Sequence, residues 1–200
     1  MNVQRKFPHP PMTLEEFFGW DGGGHAGKLE LVEGQIRAMA PASAAHGFIQ
    51  SNISGMIRTQ LRGTKSRCRV GTESPIVPPM HNRRNARAPD VSVTCAPVSD
   101  SKVLEDPVVI VEIMSPGNEA ETWESIRALA DLPSLKEILV VLSTRVAADV
   151  YTRDESGCWP DEPVTTGAGG TVRLTCLDLD LSIAEVNEGT LLAAEAGEPA

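Results

Sequence analysis

The sequence predicts a mixed α/β (α+β) fold built on a central sheet. Three observations carry this. The stretch from Ala44 to about Leu61 repeats its apolar residues at intervals of three and four, which is helical spacing. Aliphatic runs at Val108–Ile113, Ile138–Leu142 and Val146–Tyr151 have the length and β-branched content of buried strands. A second helical stretch, Glu119–Ala130, lies between the first two of those runs, so strands and helices share one unit.

In chain order, Met1–Met12 reads as an irregular lead-in containing three prolines. Thr13-Leu14-Glu15-Glu16 then opens a short helix, with Thr13 as N-cap and Glu16 closing a capping box. Asp21-Gly22-Gly23-Gly24 ends it. Lys28–Met39 reads as a hairpin turning at Glu33-Gly34. The amphipathic helix follows, with Phe48, Ile49, Ile53, Met56, Ile57 and Leu61 on its apolar residues. Cys68–Val77 is a strand ended by Pro78-Pro79, and the loop Met80–Arg87 leads into a strand around Asp90. The loop Ser99–Asp106 precedes the strand that holds Glu112. After the helix at 119–130, which ends near Pro133, two consecutive strands are expected to form a hairpin around Ser143-Thr144-Arg145. One more strand is expected near Val172–Thr175, and the tail frays from Glu188. A single domain is expected over residues 13–187, with irregular termini at 1–12 and 188–200.

The formal net charge of −9 argues against a chain coated for non-specific nucleic-acid binding. It leaves room for a local basic site. Seven of the 18 Lys and Arg residues fall in Arg62–Arg69 and Asn82–Arg87, read either as solvated loops or as phosphate-facing segments. Cys68, Cys95, Cys158 and Cys176 form no CxxC pair, which argues against a zinc knuckle. They read as free, mostly buried thiols of a cytoplasmic protein. The charged, proline-containing start argues against a signal peptide, and no apolar run is long enough to span a membrane. Gly22-Gly23-Gly24 lacks a GK[ST] ending and is no phosphate loop. Ser43 and Ser115 have no nucleophile-elbow context, which argues against a serine hydrolase.

The candidate chemistry lies in two acids, Asp90 and Glu112, at or near the ends of apolar runs. A carboxylate is costly to bury unless paired, protonated or bound to a metal. On neighbouring strands and pointing to one face, the two could ligate a single Mg²⁺ or Mn²⁺, with the Ile113 carbonyl as a further oxygen. The alternative is that both sit at strand ends and face water. His46 is either a general base with a near-neutral pKa or a solvated residue of a first helical turn. Glu30 alternates with Leu29 and Leu31, and on that pattern alone it is an exposed strand position. His9, His25 and His81 fall in loop-like sequence and carry no assignment.

The string Glu30-Leu31-Val32-Glu33-Gly34, then Pro41-Ala42-Ser43 with His46, then Pro89-Asp90-Val91, then Val111-Glu112-Ile113-Met114-Ser115-Pro116, resembles the Uma-type putative restriction endonuclease family. Pro133–Val141 is similar to that family's next strand entry, and the likeness runs from about Thr13 to Val186. The family belongs to the PD-(D/E)xK superfamily and is common in bacteria. The resemblance implies a restriction-endonuclease-like core, a mixed central sheet flanked by helices. It implies that Asp90 and Glu112 are the two metal-binding acids, that Glu30 lies near the same cleft, and that His46 faces the site from the start of the long helix. It also implies DNA as substrate, a divalent cation as cofactor, and a homodimer.

One departure stands out. A nuclease of this superfamily usually has a lysine that positions or deprotonates the attacking water. Two residues after Glu112 stands Met114. In many members the lysine comes from the following helix instead, and the matching position here is Ser125. Arg127 is two residues further, about 200° around the helix. Lys28 and His46 remain as substitutes. The sequence therefore supports two readings: a metal-dependent DNA endonuclease, or a catalytically inactive scaffold that binds nucleic acid or a protein partner.

Overall fold

The computed structural model describes residues 10–25, 27–80 and 83–196. His9, His81 and most of the N-terminal lead-in lie outside the described residues.

Helix α1 (Leu14–Gly19) starts at Thr13, whose side chain accepts the Glu16 N–H while Glu16 returns a bond to the Thr13 N–H. A 3₁₀ turn at Gly22–Gly24 follows. Strands β1 (Leu29–Val32) and β2 (Gln35–Ala38) form an antiparallel hairpin. Its turn residues Glu33 and Gly34 have φ of 51° and 83°, the left-handed conformation that a two-residue type I′ turn requires. A side chain at Gly34 would also meet the Met12 carbonyl at 3.1 Å. Helix α2 (Ala44–Gly63) is capped by Ser43 and buries His46, Ile49, Ile53, Ile57 and Leu61. Phe48, expected on the apolar face, is 49% exposed, because the buried stripe follows the strict i+4 row.

Strand β3 is only Arg69–Thr72, not the expected Cys68–Val77. Glu73 turns to a φ of 48° and ends it, and Ile76 makes only an isolated bridge to Arg87. Strands β4 (Val91–Thr94) and β5 (Pro107–Met114) are followed by α3 (Glu119–Ala130), β6 (Glu137–Leu142) and β7 (Ala147–Thr152). The Gly- and Pro-rich end holds more structure than its sequence suggests. Strands β8 (Val164–Gly167), β9 (Thr171–Leu174) and β10 (Leu179–Ser182) are followed by short helices α4 (Ile183–Val186) and α5 (Leu191–Ala196). The tail expected to fray from Glu188 thus carries a helix.

The main sheet has six strands in the order β3-β4-β5-β6-β7-β8. Only β5 and β6 run parallel, joined through α3. Alternation along the strands gives each face its own core. On one face Val91, Val93, Val109, Val111 and Ile113 pack with Ile49, Ile53, Ile57 and Leu61 of α2 and with the β9–β10 hairpin. On the other, Ile110, Ile138 and Val140 pack with Ile126 and Leu129 of α3. Glu112 has the parity of Ile110 and so lies on the α3 face.

The four cysteines are not all free. Cys68 and Cys95 form a disulfide that ties the end of the α2 connection to the end of β4, while Cys158 and Cys176 are free and exposed. No helix among the described residues is long and apolar enough to cross a membrane.

Candidate active site

The register of β4 on β5 builds the site. Val91 pairs with Val111, so Asp90, one residue before β4 begins, falls beside Glu112. Strand β5 outruns β4 here and leaves the Ile113 N–H without a β4 carbonyl. The Asp90 carboxylate fills that place: its Oδ2 accepts the Ile113 N–H at 2.8 Å. Its backbone is fixed too, with the Asp90 carbonyl accepting from the Gln50 side chain at 2.9 Å and from the Glu73 N–H at 3.2 Å.

The other Asp90 oxygen, Oδ1, meets two side chains. Lys28 Nζ, just before β1, lies 3.0 Å away, and His46 Nε2, in the first turn of α2, lies 3.3 Å away. The His46 Nδ1 faces Ser115 Oγ at 3.4 Å, and Ser143 Oγ donates to Ser115 Oγ at 3.1 Å. Across the gap, Ser125 Oγ donates to Glu112 Oε1 at 3.1 Å. These groups line one cleft of about 660 Å³, together with Glu30, Glu73, Thr122 and His25.

Glu30 is buried, not exposed as its alternation suggests. Its Oε1 accepts the Ala88 N–H at 3.0 Å and its Oε2 lies 3.4 Å from Arg87. Arg87 also reaches Glu124 on α3 at 2.9 Å, and Glu124 meets Arg37 of β2 at 2.9 Å. This chain of charges clamps the hairpin to α3.

Burial and charge drive the two central acids apart. Burial alone would push Asp90 up, but His46, Lys28 and the Ile113 N–H outweigh it and hold the carboxyl below the ordinary range. Glu112 goes the other way. Burial first, then the charges of Asp90 and Glu30, push it to about 8 against the opposing effects of Lys28 and Ser125. Lys28 is itself raised: burial works against its charge, but Asp90, Glu112 and Glu30 together outweigh burial.

The donor set suits a hard divalent cation. Two carboxylates that repel each other across a gap present oxygen ligands, and a shared cation would relieve the repulsion. Among the described residues no three His, Cys, Asp or Glu side chains close into an ion cage. A magnesium-type site needs no such cage, since it takes one or two carboxylates and keeps several waters.

The profile of the Uma2 family, described as "Putative restriction endonuclease", matches residues 14–184. The chain belongs to the Uma2 family. An "Uncharacterized protein slr1290" of Synechocystis sp. is 33% identical over 155 residues, covering 76% of this chain and 80% of its own length. A crystal structure from Anabaena variabilis ATCC 29413, titled as a putative nuclease belonging to DUF820, superposes with a TM-score of 0.70 at 20% identity. That match covers 88% of this chain and 97% of the other, and it shows that the two share a fold. The expected mixed sheet flanked by helices is thus the architecture of this Uma2 protein.

The structure of this Uma2 chain brings Asp90, Glu112, Glu30 and His46 to one cleft, and Ile113 meets Asp90 there through its backbone N–H. It does not bring the first basic segment there. Arg62 lies at the far end of α2, about 24 Å along the axis from His46 at 1.5 Å per residue. In the second segment Arg87 is buried against Glu30 and Glu124, while Arg83 and Arg84 are exposed. Sequence reasoning missed Ser115, Ser143 and Gln50, which meet the site through contacts 28 to 69 residues apart in sequence. No local signal marks such partners. His25, which carried no assignment, lines the cleft.

Proposed function

We propose that this cleft is the active site of a metal-dependent DNA endonuclease that hydrolyses phosphodiester bonds. The observation that carries the reading is the adjacency of Asp90 and Glu112 at the mouth of the β4–β5 pair, both buried and both opening into the cleft. Asp90 and Glu112 would hold Mg²⁺ or Mn²⁺, with the Ile113 carbonyl as a further oxygen. When bound, such a cation lowers the pKa of an attending water and neutralises charge that builds on the phosphate.

The chain's own residues do the rest. The Ile113 N–H and the Gln50 bond fix the orientation of Asp90. Contact with Asp90 at Nε2 orients the His46 ring and leaves Nδ1 toward Ser115 and Ser143. Because Ser143 Oγ donates to Ser115 Oγ, the two hydroxyls lead toward Nδ1 and hold the ring in this orientation. Glu30, tied to Arg87 and the Ala88 N–H, supports the wall of the cleft and adds negative potential that favours a cation.

The test is cleavage of supercoiled plasmid and of oligonucleotides with Mg²⁺ or Mn²⁺. Asp90→Ala and Glu112→Ala are expected to lose at least about a hundredfold in rate. Equal residual activity in the parent and both variants would sink the reading.

A second reading is favoured by Met114 and Ser125. Met114 packs into the apolar cluster under α3, and Ser125 offers Glu112 a neutral hydroxyl where an ammonium could stand. On that reading the protein is an inactive nuclease-like scaffold that binds nucleic acid or a protein partner. Millimolar Mn²⁺ that fails to bind in calorimetry, together with no cleavage, selects it.

A further inference from the structure

We propose that Lys28 is a tethered counter-ion of the acid pair, one that a divalent cation must displace from Asp90 and that then presents its charge to the phosphate. The inference rests on the metal site proposed above, and its second half also on the nuclease reading.

The positions after Glu112 where the resemblance places a lysine supply no cation. Met114 is turned into the core, Ser125 is neutral and bonded to Glu112, and Arg127 is exposed on the helix surface. Arg87 enters the region but is committed to Glu30 and Glu124. Lys28 comes instead from the hairpin. Its Nζ lies 3.0 Å from Asp90 Oδ1, and its side chain is only 15% exposed. Lys28 lines the same cleft as Glu112 and Glu30, and Asp90 is the acid its ammonium touches.

The way Lys28 is held makes it displaceable. Its backbone is fixed, with the Lys28 carbonyl accepting the Met39 N–H at 3.0 Å. Its head group is a point charge on a flexible four-carbon stem, and its contact with Asp90 is a single oxygen. His46, which meets the same oxygen, is a rigid ring held at its other nitrogen by Ser115. A divalent ion binding Asp90 Oδ1 therefore competes with Lys28 for that oxygen. The ammonium moves on its stem, stays in the cleft, and becomes the cation next to the bound phosphate.

The test is Mn²⁺ titration by calorimetry on the parent, Lys28→Met and Lys28→Arg, with cleavage assayed on the same preparations. Lys28→Met keeps most of the stem and removes the charge. It is expected to bind Mn²⁺ at least about tenfold more tightly, since a repelling charge within a few ångströms is gone. Its cleavage rate is expected to fall about a hundredfold. Lys28→Arg, which keeps the charge, is expected to bind Mn²⁺ within about threefold of the parent, and its contrast with Lys28→Met is what a merely structural lysine does not produce. Mn²⁺ affinity unchanged or weakened in Lys28→Met overturns the proposal, as does Mn²⁺ binding to neither protein. If Lys28→Met destabilises the fold, Lys28→Gln carries the same two readouts. A parent that binds Mn²⁺ but cuts nothing, with Lys28→Met binding more tightly, keeps the counter-ion and defeats the nuclease reading.

Discussion

Glu112→Gln should make the metal-free protein more stable and remove most of its pH dependence between pH 4.5 and 8. In the folded chain the Glu112 carboxyl titrates at about 8, against an ordinary value of 4.5. Between those values the folded state holds a proton that the unfolded state has released. Folded chains then bind more protons than unfolded ones, so stability falls as pH rises through this window and levels off above it. At pH 7 about 2.5 pH units of that gap have been crossed. At roughly 1.4 kcal/mol per unit this is about 3 kcal/mol. The neighbours titrate elsewhere. Asp90, held low, contributes stability that is lost only as pH falls below the ordinary carboxylate range, and Lys28, held high, matters only above the ordinary lysine range. Glutamine keeps the size of the side chain and an oxygen for Ser125. The assay is urea unfolding in EDTA at pH 5, 7 and 9. The parent should lose stability from the first to the last, and Glu112→Gln should exceed it by about 3 kcal/mol at pH 7 while matching it near pH 5. Parallel pH profiles for the two proteins would refute the reasoning.

Other consequences can be measured on the same footing. Cys95→Ser opens the loop of 27-residue separation closed by the Cys68–Cys95 disulfide and should cost about 3.5 kcal/mol by loop entropy, seen as a lower urea midpoint. Dithiothreitol should lower the parent to the same midpoint and leave Cys95→Ser unchanged. Arg87→Met strands buried Glu30 without its cation and should cost about 3–5 kcal/mol. Among the described residues Arg37 pairs with Glu124, which is 42% exposed, so Arg37→Met should cost less than about 1 kcal/mol; equal losses from the two would contradict the clamp.

Much of the fold was legible because its elements are locally consistent. The helix at Glu119–Ala130 has the bounds that its sequence suggests, and the Thr13 box and the Glu33-Gly34 turn are decided by three or four adjacent residues. The reading failed where burial is slight. Strand β8, Val-Thr-Thr-Gly, is an edge strand exposed at three of its four positions, so it has no apolar signature. Strand β10 alternates Leu179 and Leu181 inward over only four residues, too few to establish a period. The pairing of Cys68 with Cys95 follows from β3 lying against β4, which no local pattern states. At the site, Asp90 and Glu112 were legible because charge inside an aliphatic run is conspicuous. Lys28 was legible only as one of two substitutes for the missing lysine, because an ordinary lysine at a strand start becomes part of a cleft only through a contact 62 residues away.

The cleft draws on residues near 28, 46, 90, 112 and 143, each on a different segment of the chain. No fragment of the polypeptide carries it, and β5 cannot present Glu112 in place until β6, which follows α3, has joined it in parallel. Such distant pairings form late, because the entropy of closing long loops is lost before any contact compensates for it. During synthesis the acids therefore remain scattered along an unfinished chain. Whatever chemistry the cleft carries is assembled only once the whole sheet has closed.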